Sequence, residues 1–285
     1  MIPILIDGVV QGLQLSLLAV GITLIYGLGG VLNLAHGQLA IVGGVATALL
    51  IGGGVNVVAA CVLGVLGAGL FALVVDRSLL VPAYRAHGEE RLLLGLVLTL
   101  GLSLLIDGYL NYQFPNTALT LRLPVPSVNL GGFRVRSASI GTSLIAILAF
   151  LVLLGFLRRT LVGKAVRSII QNEVGAELCG IDATRTRTLI VVLSGMLAGL
   201  AGVAQGLFSS LGTEMGVEFT ILGLIVAVVG GVRSINGTLA AGVLLGIVNA
   251  FASYYVGTYL AFIILLLAAM ITILVRPSGL LAYWT

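Results

Sequence analysis

The chain has 285 residues, of which 59% are hydrophobic and only 8% are charged. Soluble domains carry about 25% charged residues, so this composition excludes an ordinary soluble protein and predicts an integral membrane protein in a lipid bilayer. The formal net charge is +4, but the basic residues lie between apolar runs and act there as topology signals, so they do not indicate a nucleic-acid partner.

Apolar runs long enough to cross a membrane recur along the whole chain. A spanning helix needs about 20 mostly apolar residues. Clear runs lie at 9–29, 57–76, 92–113, 139–157, 188–210 and 257–275. Shorter or glycine-broken runs lie at 36–55, 218–232 and 236–254. We therefore predict an all-α integral membrane protein of about eight to ten transmembrane helices, with residues 1–285 forming a single transmembrane domain.

Three polar segments separate these runs and predict their orientation. Residues 76–91 and 158–187 hold clusters of arginine, so the positive-inside rule places both in the cytoplasm. Residues 114–137 hold three prolines and fewer arginines for their length, and are predicted to face outside. If three spans precede Asp76, the N-terminus is outside, and if three spans follow 188–210, the C-terminus is cytoplasmic.

The segment 158–187 is too long for a simple connection. Connections in helix bundles usually have about 2–8 residues. Its middle part favours helix, and Gly180 is a plausible helix stop. We therefore predict a cytoplasmic helix-turn-helix that serves as an interaction segment.

Two stretches about 200 residues apart resemble each other. The first Gly-Gly-Val segment (residues 29–40) has Gly-Gly-Val and then Gly-Gln-Leu-Ala, and the second Gly-Gly-Val segment (residues 230–240) has Gly-Gly-Val and then Gly-Thr-Leu-Ala. Paired glycine-broken segments in corresponding halves of a membrane protein point to a transport site. The alternative is a chance similarity in a chain rich in Gly, Ala, Leu and Val.

Polar side chains lie inside both segments. Asn33, His36 and Gln38 interrupt the first, and Asn236 lies in the second. Polar groups within a membrane usually face a pore or the bundle interior. They therefore line or gate a solute path, or they hold the helix kink through hydrogen bonds to neighbouring helices. His36 has no second His or carboxylate nearby in sequence, which argues against a metal site.

The sequence offers no catalytic constellation. It contains no nucleophile with a base, no zinc ligand set and no carboxylate pair. Gly163-Lys164-Ala165 fails the phosphate-loop pattern, because no Gly lies five residues before Gly163 and Ala165 is neither Ser nor Thr. The chain is therefore predicted not to be an enzyme and to bind no cofactor.

A self-contained secondary transporter or channel is an alternative, but it would need an intramembrane ion site, for which Asp107 near a membrane boundary is a weak candidate.

Several motifs resemble the permeases of branched-chain amino acid ABC transporters of the LivH/LivM type. The run from Tyr26 to Gly37 resembles the N-terminal signature of that family, and Gln171 to Asp182 resembles its cytoplasmic coupling segment. Further matches, in the family's order, are residues 194–202, 230–237 and 276–280. The chain departs from the family at 173–177, where a Pro and an Ala pair are more usual.

The resemblance implies a role and a set of partners. It implies an importer of the bacterial inner membrane that translocates branched-chain amino acids or related solutes, with urea, short amides or small carboxylates as alternatives. The implied partners are ABC ATPase subunits that bind ATP and Mg²⁺, an extracytoplasmic solute-binding protein, and a second homologous permease, with a heterodimer favoured over a homodimer. The coupling segment would dock on the ATPase through residues Gly163, Lys164, Arg167, Glu173, Ala176, Glu177, Gly180 and Ile181.

Overall fold

A computed structural model of the chain describes residues 1–86, 88–115, 118–121, 128–130, 133–135, 137–276 and 279. The resemblance at 276–280 therefore lies mostly outside the described residues. The described part is predominantly helical. Its α-helices are α1 (Ile2–Gly29), α2 (His36–Gly52), α3 (Val57–Val75), α4 (Val81–Tyr84), α5 (Glu89–Gln113), α6 (Ser137–Arg159), α7 (Leu161–Gln171), α8 (Glu173–Leu178), α9 (Ala183–Phe208), α10 (Gly216–Gly230), α11 (Ile235–Val256) and α12 (Thr258–Val275).

Eight of the described helices are long and apolar enough to cross a membrane, and α2 is a shorter apolar helix of 17 residues. This confirms the predicted class of fold and the predicted number of spans. The glycine-broken runs become α2, α10 and α11. The predicted helix-turn-helix at 158–187 is also found, as α7 and α8, with Gly180 in a left-handed conformation at φ 84° after α8.

One boundary differs from the sequence expectation. The first polar segment was expected to begin at Asp76, but the helix continues there through a π-turn, Asp76–Leu80, into α4. Asp76 does not stop the helix because its carboxylate is fully buried and accepts a hydrogen bond of 2.6 Å from the Thr188 hydroxyl in α9. A buried acid that has a partner within the protein is tolerated inside a helix.

Short antiparallel strands mark one end of the bundle. β1 (Ala118–Leu119) follows α5 and pairs with β4 (Leu211–Gly212), which follows α9, while β2 (Val128–Leu130) pairs with β3 (Phe133–Val135). We call this the strand end, and the opposite end the α7–α8 end. Helices α5, α9 and α11 run towards the strand end, and α1, α3, α10 and α12 run towards the α7–α8 end.

Helix α1 forms the centre of the bundle. In its most apolar stretch 83% of the residues are buried, against 17% for α12, so α12 presents most of its surface to lipid. Small residues bring the central helices close together, with Gly12 of α1 against Val243 of α11 and Gly199 of α9 against Ala68 of α3. Because lipid is as apolar as leucine, such close packing is the main source of helix association within a membrane.

Candidate functional site

The first Gly-Gly-Val segment connects α1 to α2 by an irregular turn. Gly30 ends α1 in a left-handed conformation at φ 61°. A side chain would be strained in this conformation. The Asn33 side chain then accepts a hydrogen bond of 3.0 Å from the Ala35 amide, which folds the chain back into α2 at His36. The asparagine therefore shapes this turn whether or not it also contacts a solute.

This turn lies at membrane depth. The Leu34 amide donates a hydrogen bond of 2.9 Å to the hydroxyl of Thr99 in α5. Thr99 follows the start of α5 at Glu89 by ten residues, which corresponds to about 15 Å along the helix axis. The Gly37 amide likewise donates to the Thr220 hydroxyl of α10 at 2.9 Å. Irregular backbone is tolerated inside a membrane only where protein or a cavity satisfies its polar groups, and hydroxyls of two other helices do so here.

The polar side chains of the first segment are buried but poorly satisfied. Asn33 is 3% exposed, and His36 and Gln38 are fully buried. Within the described residues, the Asn33 amide nitrogen, both His36 ring nitrogens and both terminal atoms of Gln38 form no hydrogen bond of ordinary geometry, although the Leu18 carbonyl lies near the imidazole. Unsatisfied buried polar groups are costly, so an alternative partner, such as water or a solute, is expected in some state of the protein.

Neighbouring helices enclose these side chains closely. A Cβ placed on Gly21 of α1 would lie 2.5 Å from Nε2 of His36 and 2.9 Å from the hydroxyl of Ser194 in α9. A Cβ placed on Gly216, in the first turn of α10, would likewise clash with the side-chain amide of Gln38. The cluster therefore lies where α1, α9 and α10 converge on the start of α2.

The second Gly-Gly-Val segment has the same outline with different partners. Gly231 follows α10 with φ 100°, and Ser234 caps α11 by accepting the Gly237 amide at 3.1 Å. Asn236 is exposed in the first turn of α11, on the α7–α8 end, whereas Asn33, His36 and Gln38 are buried. The structure thus brings three of the four predicted path residues together and leaves Asn236 at the surface.

A cavity of about 280 Å³ lies between α1, α9, α10 and α11 in the half of the bundle nearer the strand end. On its deeper side, Leu18 and Ile22 of α1 pack against Gly223 of α10. The side-chain amides of Gln11 and Gln14 interrupt an apolar run of the sequence, and this is the signal that could have revealed the cavity. The lining residues are Gln11, Gln14, Leu15, Leu18, Ala201, Gln205, Phe208, Ser209, Met215, Glu218, Phe219, Leu222 and Asn249.

The predicted coupling residues lie on or beside α7 and α8. The Thr160 hydroxyl caps α7 and the Asn172 side chain caps α8, so each short helix has its own start signal. Arg167 donates a hydrogen bond of 3.0 Å to the Leu157 carbonyl, which fixes α7 against the end of α6. Within the predicted set, the exposed residues are Lys164, Arg167, Glu177 and Gly180; the buried ones are Gly163 and Ala176; and the half-buried ones are Glu173 and Ile181.

A charge network that was not predicted from the sequence connects α8 to the membrane helices. Glu173 forms ion pairs with Arg187 of α9 and, at 3.6 Å, with Arg91 of α5. Arg187 lies 4.9 Å above the Tyr84 ring and donates a hydrogen bond of 3.4 Å to the Leu28 carbonyl at the end of α1. Arg187 lies one turn into an apolar helix, and a cation there needs a partner, which is the signal that could have revealed it.

Comparison with known proteins gives a consistent result. The family described as "Branched-chain amino acid transport system / permease component" matches residues 4–275. The chain is 29% identical over 294 residues to the high-affinity branched-chain amino acid transport system permease protein LivH of Escherichia coli K12, covering 96% of this chain and 93% of LivH. It is 27% identical over 296 residues to the corresponding protein BraD of Pseudomonas aeruginosa, covering 97% and 94%. The solved structure of PsaBC from Streptococcus pneumoniae in complex with Fab aligns at 14% identity with a TM-score of 0.49, covering 95% and 91%.

Proposed function

Because this chain belongs to the permease-component family of branched-chain amino acid transport systems, we propose that it is the membrane-spanning subunit of an ATP-driven importer for branched-chain amino acids. The observation that carries the proposal is the extent of the match, residues 4–275, which includes the first Gly-Gly-Val segment and the α7–α8 segment. The relatives LivH and BraD are permease proteins of high-affinity branched-chain amino acid transport systems.

The proposal assigns the chain to the bacterial inner membrane, with the α7–α8 end in the cytoplasm. Arg158, Arg159, Arg185 and Arg187 lie at that end, and an excess of arginine marks the cytoplasmic side. The strand end then faces outwards, where a solute-binding protein would deliver the amino acid. A second homologous permease, preferably a different chain, would complete the pathway.

The proposal also places energy conversion in separate ATPase subunits, which would bind ATP and Mg²⁺. These subunits would dock on the exposed parts of α7 and α8. A shift of α8 would be transmitted to α1. Glu173 forms an ion pair with Arg187, and Arg187 donates a hydrogen bond to the Leu28 carbonyl in the last turn of α1. Leu28 lies shortly before Gly30, so the first Gly-Gly-Val segment is the nearest irregular backbone that could respond.

In this proposal Asn33, His36 and Gln38 form the gate of the solute path. His36 contacts Gly21 of α1, about one turn beyond the lining residue Leu18, whereas Gln38 contacts Gly216 of α10, level with the lining residue Met215. Their unsatisfied polar atoms would be partnered by water or by solute when these helices separate. Polar groups that gain partners only in the open state favour that state over the closed one.

Two measurements test the function. The chain is extracted in a gentle detergent and purified, and we expect ATPase subunits and a second permease to copurify with it. The assembled complex, reconstituted with its binding protein, is then expected to accumulate radiolabelled leucine only when ATP is supplied. Rapid leucine flux through the chain alone, driven by an ion gradient, would contradict the proposal and point to a secondary transporter.

A further inference from the structure

The cavity near the strand end differs from the rest of the bundle in its chemistry. Its wall contains amide, hydroxyl and carboxylate side chains from α1, α9, α10 and α11, although the chain as a whole has only 8% charged residues. Polar side chains within a membrane are costly and mark the route of a polar solute. The convergence of such groups from several helices on one space is therefore informative.

The polar groups are of two complementary kinds. Glu218, exposed at the rim in the first turn of α10, supplies a carboxylate, and it is the charged residue of the lining. The amides supply N–H donors. The Asn249 amide nitrogen donates to the Gln11 carbonyl oxygen at 3.3 Å, which leaves the amide nitrogen of Gln11 without a hydrogen bond among the described residues. Gln14 is 5% exposed, and its amide nitrogen reaches the Ala204 carbonyl only at 3.5 Å, so it has donor capacity to spare.

The rest of the wall is apolar. Leu15 and Leu18 of α1 face Phe219 and Leu222 of α10 across the cavity. Ligand pockets usually have volumes of about 300–1,000 Å³, so a cavity of about 280 Å³ suits a small ligand. The lining thus combines an anionic group, amide donors and an aliphatic wall in a small space.

We propose that this cavity is a binding site for the zwitterion of an aliphatic α-amino acid. Glu218 faces the ammonium group, the amides of Gln11 and Gln14 face the carboxylate, and the aliphatic side chain lies against Leu18 and Phe219. This inference rests on the proposed function and deepens it, since it names the residues that hold the solute between its delivery and its passage.

The position of the cavity also explains how its occupant is retained. Leu18 and Ile22 contact Gly223 on the deeper side of the cavity, where they would hold an occupant back. On the same helix, the Thr220 hydroxyl accepts from the Gly37 amide, and its proton is shared between the Gly216 carbonyl at 3.0 Å and the Leu34 carbonyl at 3.2 Å. Moving α10 away from α1 to release the solute would therefore also disturb the first Gly-Gly-Val segment.

Cysteine protection in the full complex tests the site directly. Cys61 and Cys179 are first replaced by alanine, and Ser209→Cys, in the lining, is compared with Ser210→Cys, which is its exposed neighbour outside the lining. We expect millimolar leucine to slow the reaction of the first variant with a membrane-impermeant maleimide by about tenfold, as expected for loss of access to an occupied site. It should leave the second unchanged, and 4-methylpentanoate, which lacks the ammonium group, should give no protection.

Equal reaction rates of Ser209→Cys with and without leucine would overturn the inference. So would a Ser209→Cys that does not react from outside while Ser210→Cys does, because the cavity would then not open to that side. Neither result depends on transport, so each is distinguishable from a failure of the proposed function, which would appear as no ATP-dependent leucine uptake by the unmodified complex.

Uptake by two carboxylate variants provides a test that needs no cysteine. Glu218→Gln is compared with Glu214→Gln, an exposed carboxylate four residues earlier and outside the lining. Loss of a charge-assisted hydrogen bond should lower leucine uptake by Glu218→Gln about tenfold or more, with normal amounts of assembled complex. Glu214→Gln should transport at the unmodified rate. Equal uptake by the two variants would count against the site.

Discussion

The two Gly-Gly-Val segments share a sequence pattern and a glycine with positive φ, but they obtain their hydrogen bonds from different places. In the first, the Leu34 and Gly37 amides donate to hydroxyls of Thr99 and Thr220, which belong to other helices. In the second, Ser234 caps its own helix, and the Thr238 hydroxyl donates to the Ser234 carbonyl at 2.9 Å. The turn amides of the first segment are thus satisfied by other helices and the start of α11 in the second is capped locally, although the Thr238 hydroxyl also lies 3.0 Å from the Thr23 hydroxyl of α1 and the Leu239 carbonyl accepts from Ser16 of α1 at 3.2 Å.

This difference separates a turn that can respond to its surroundings from one that serves as a fixed hairpin. A turn held by two other helices changes when either helix moves. A locally capped turn keeps its shape while its surroundings change. The first segment holds three buried side chains whose polar atoms lack hydrogen bonds. Among the described residues, the second segment holds none. We therefore expect the first segment to change shape during transport and the second to serve as a support.

The strongest test of this comparison replaces one polar residue in each segment. His36→Leu removes a fully buried imidazole from the expected gate, and we expect ATP-dependent leucine uptake to fall at least about tenfold, because loss of a polar contact made in only one state shifts the balance of states. Asn236→Leu, at an exposed position, should have little effect. Uptake is measured in proteoliposomes with equal amounts of complex. Equal losses in both variants would mean that both segments contribute to the path, as the sequence repeat predicts.

A second test breaks the link between α8 and the first segment. Glu173→Gln removes the ion pairs with Arg187 and Arg91, and we expect solute-stimulated ATP hydrolysis to continue while uptake falls several-fold. Because Arg187 is buried, stability should also fall by about 2 kcal/mol. The control is Arg185→Gln, whose ion pair with Asp182 is exposed and should contribute little. The ratio of leucine transported to ATP hydrolysed decides the outcome, and an unchanged ratio in Glu173→Gln would reject the coupling role.

A third test compares remote with local hydrogen bonds. Thr99→Val keeps the side-chain shape but leaves the Leu34 amide without its acceptor at membrane depth, and we expect a loss of about 1–3 kcal/mol. Ser234→Ala removes a helix cap in the second segment and should cost about 1 kcal/mol. Unfolding in mixed micelles of increasing SDS content measures both. A smaller effect for Thr99→Val than for Ser234→Ala would show that the first segment does not depend on α5.

The smallest expected difference is between the two glycines with positive φ. Gly231 has φ 100° and ψ 114°, a conformation that side chains rarely adopt, so Gly231→Ala should cost about 1–3 kcal/mol. Gly30 has φ 61° and ψ 16°, and open space surrounds it. This is the ordinary left-handed helical region, so Gly30→Ala should cost only about 1 kcal/mol. Thermal denaturation of the purified variants gives the order, and the reverse order would indicate that the first turn is the more constrained of the two.

The sequence was most informative where the physics is local. Apolar runs predicted the spans, and the length and composition of residues 158–187 predicted α7 and α8, because both depend on neighbouring residues. The polar residues of the first Gly-Gly-Val segment were also recognisable, since an Asn, a His and a Gln are conspicuous in an apolar run. Their burial in the structure agrees with a position inside the bundle, while their role as a gate stays a prediction.

The interactions that were not foreseen join residues far apart in the chain. Thr99 and Leu34 are 65 positions apart, and Thr188 and Asp76 are 112 apart. No local pattern indicates that these side chains meet, so the continuation of the helix through Asp76 was missed. Likewise Arg91 and Arg187 were interpreted only as topology signals, because their shared partner Glu173 lies on a third element.

The π-turn at Asp76–Leu80 has a consequence for how the gene can change. A π-turn holds one residue more than a regular helical turn, and each residue of a helix advances by about 100°. Loss of one codon within this turn would restore regular helix and keep the orientation of both flanks. The same loss in the middle of α3 would rotate its lipid-facing side chains towards α9. The segment before α4 is therefore the position in this long helix where a deletion of one residue should be best tolerated, with Asp76 itself as the residue that must remain.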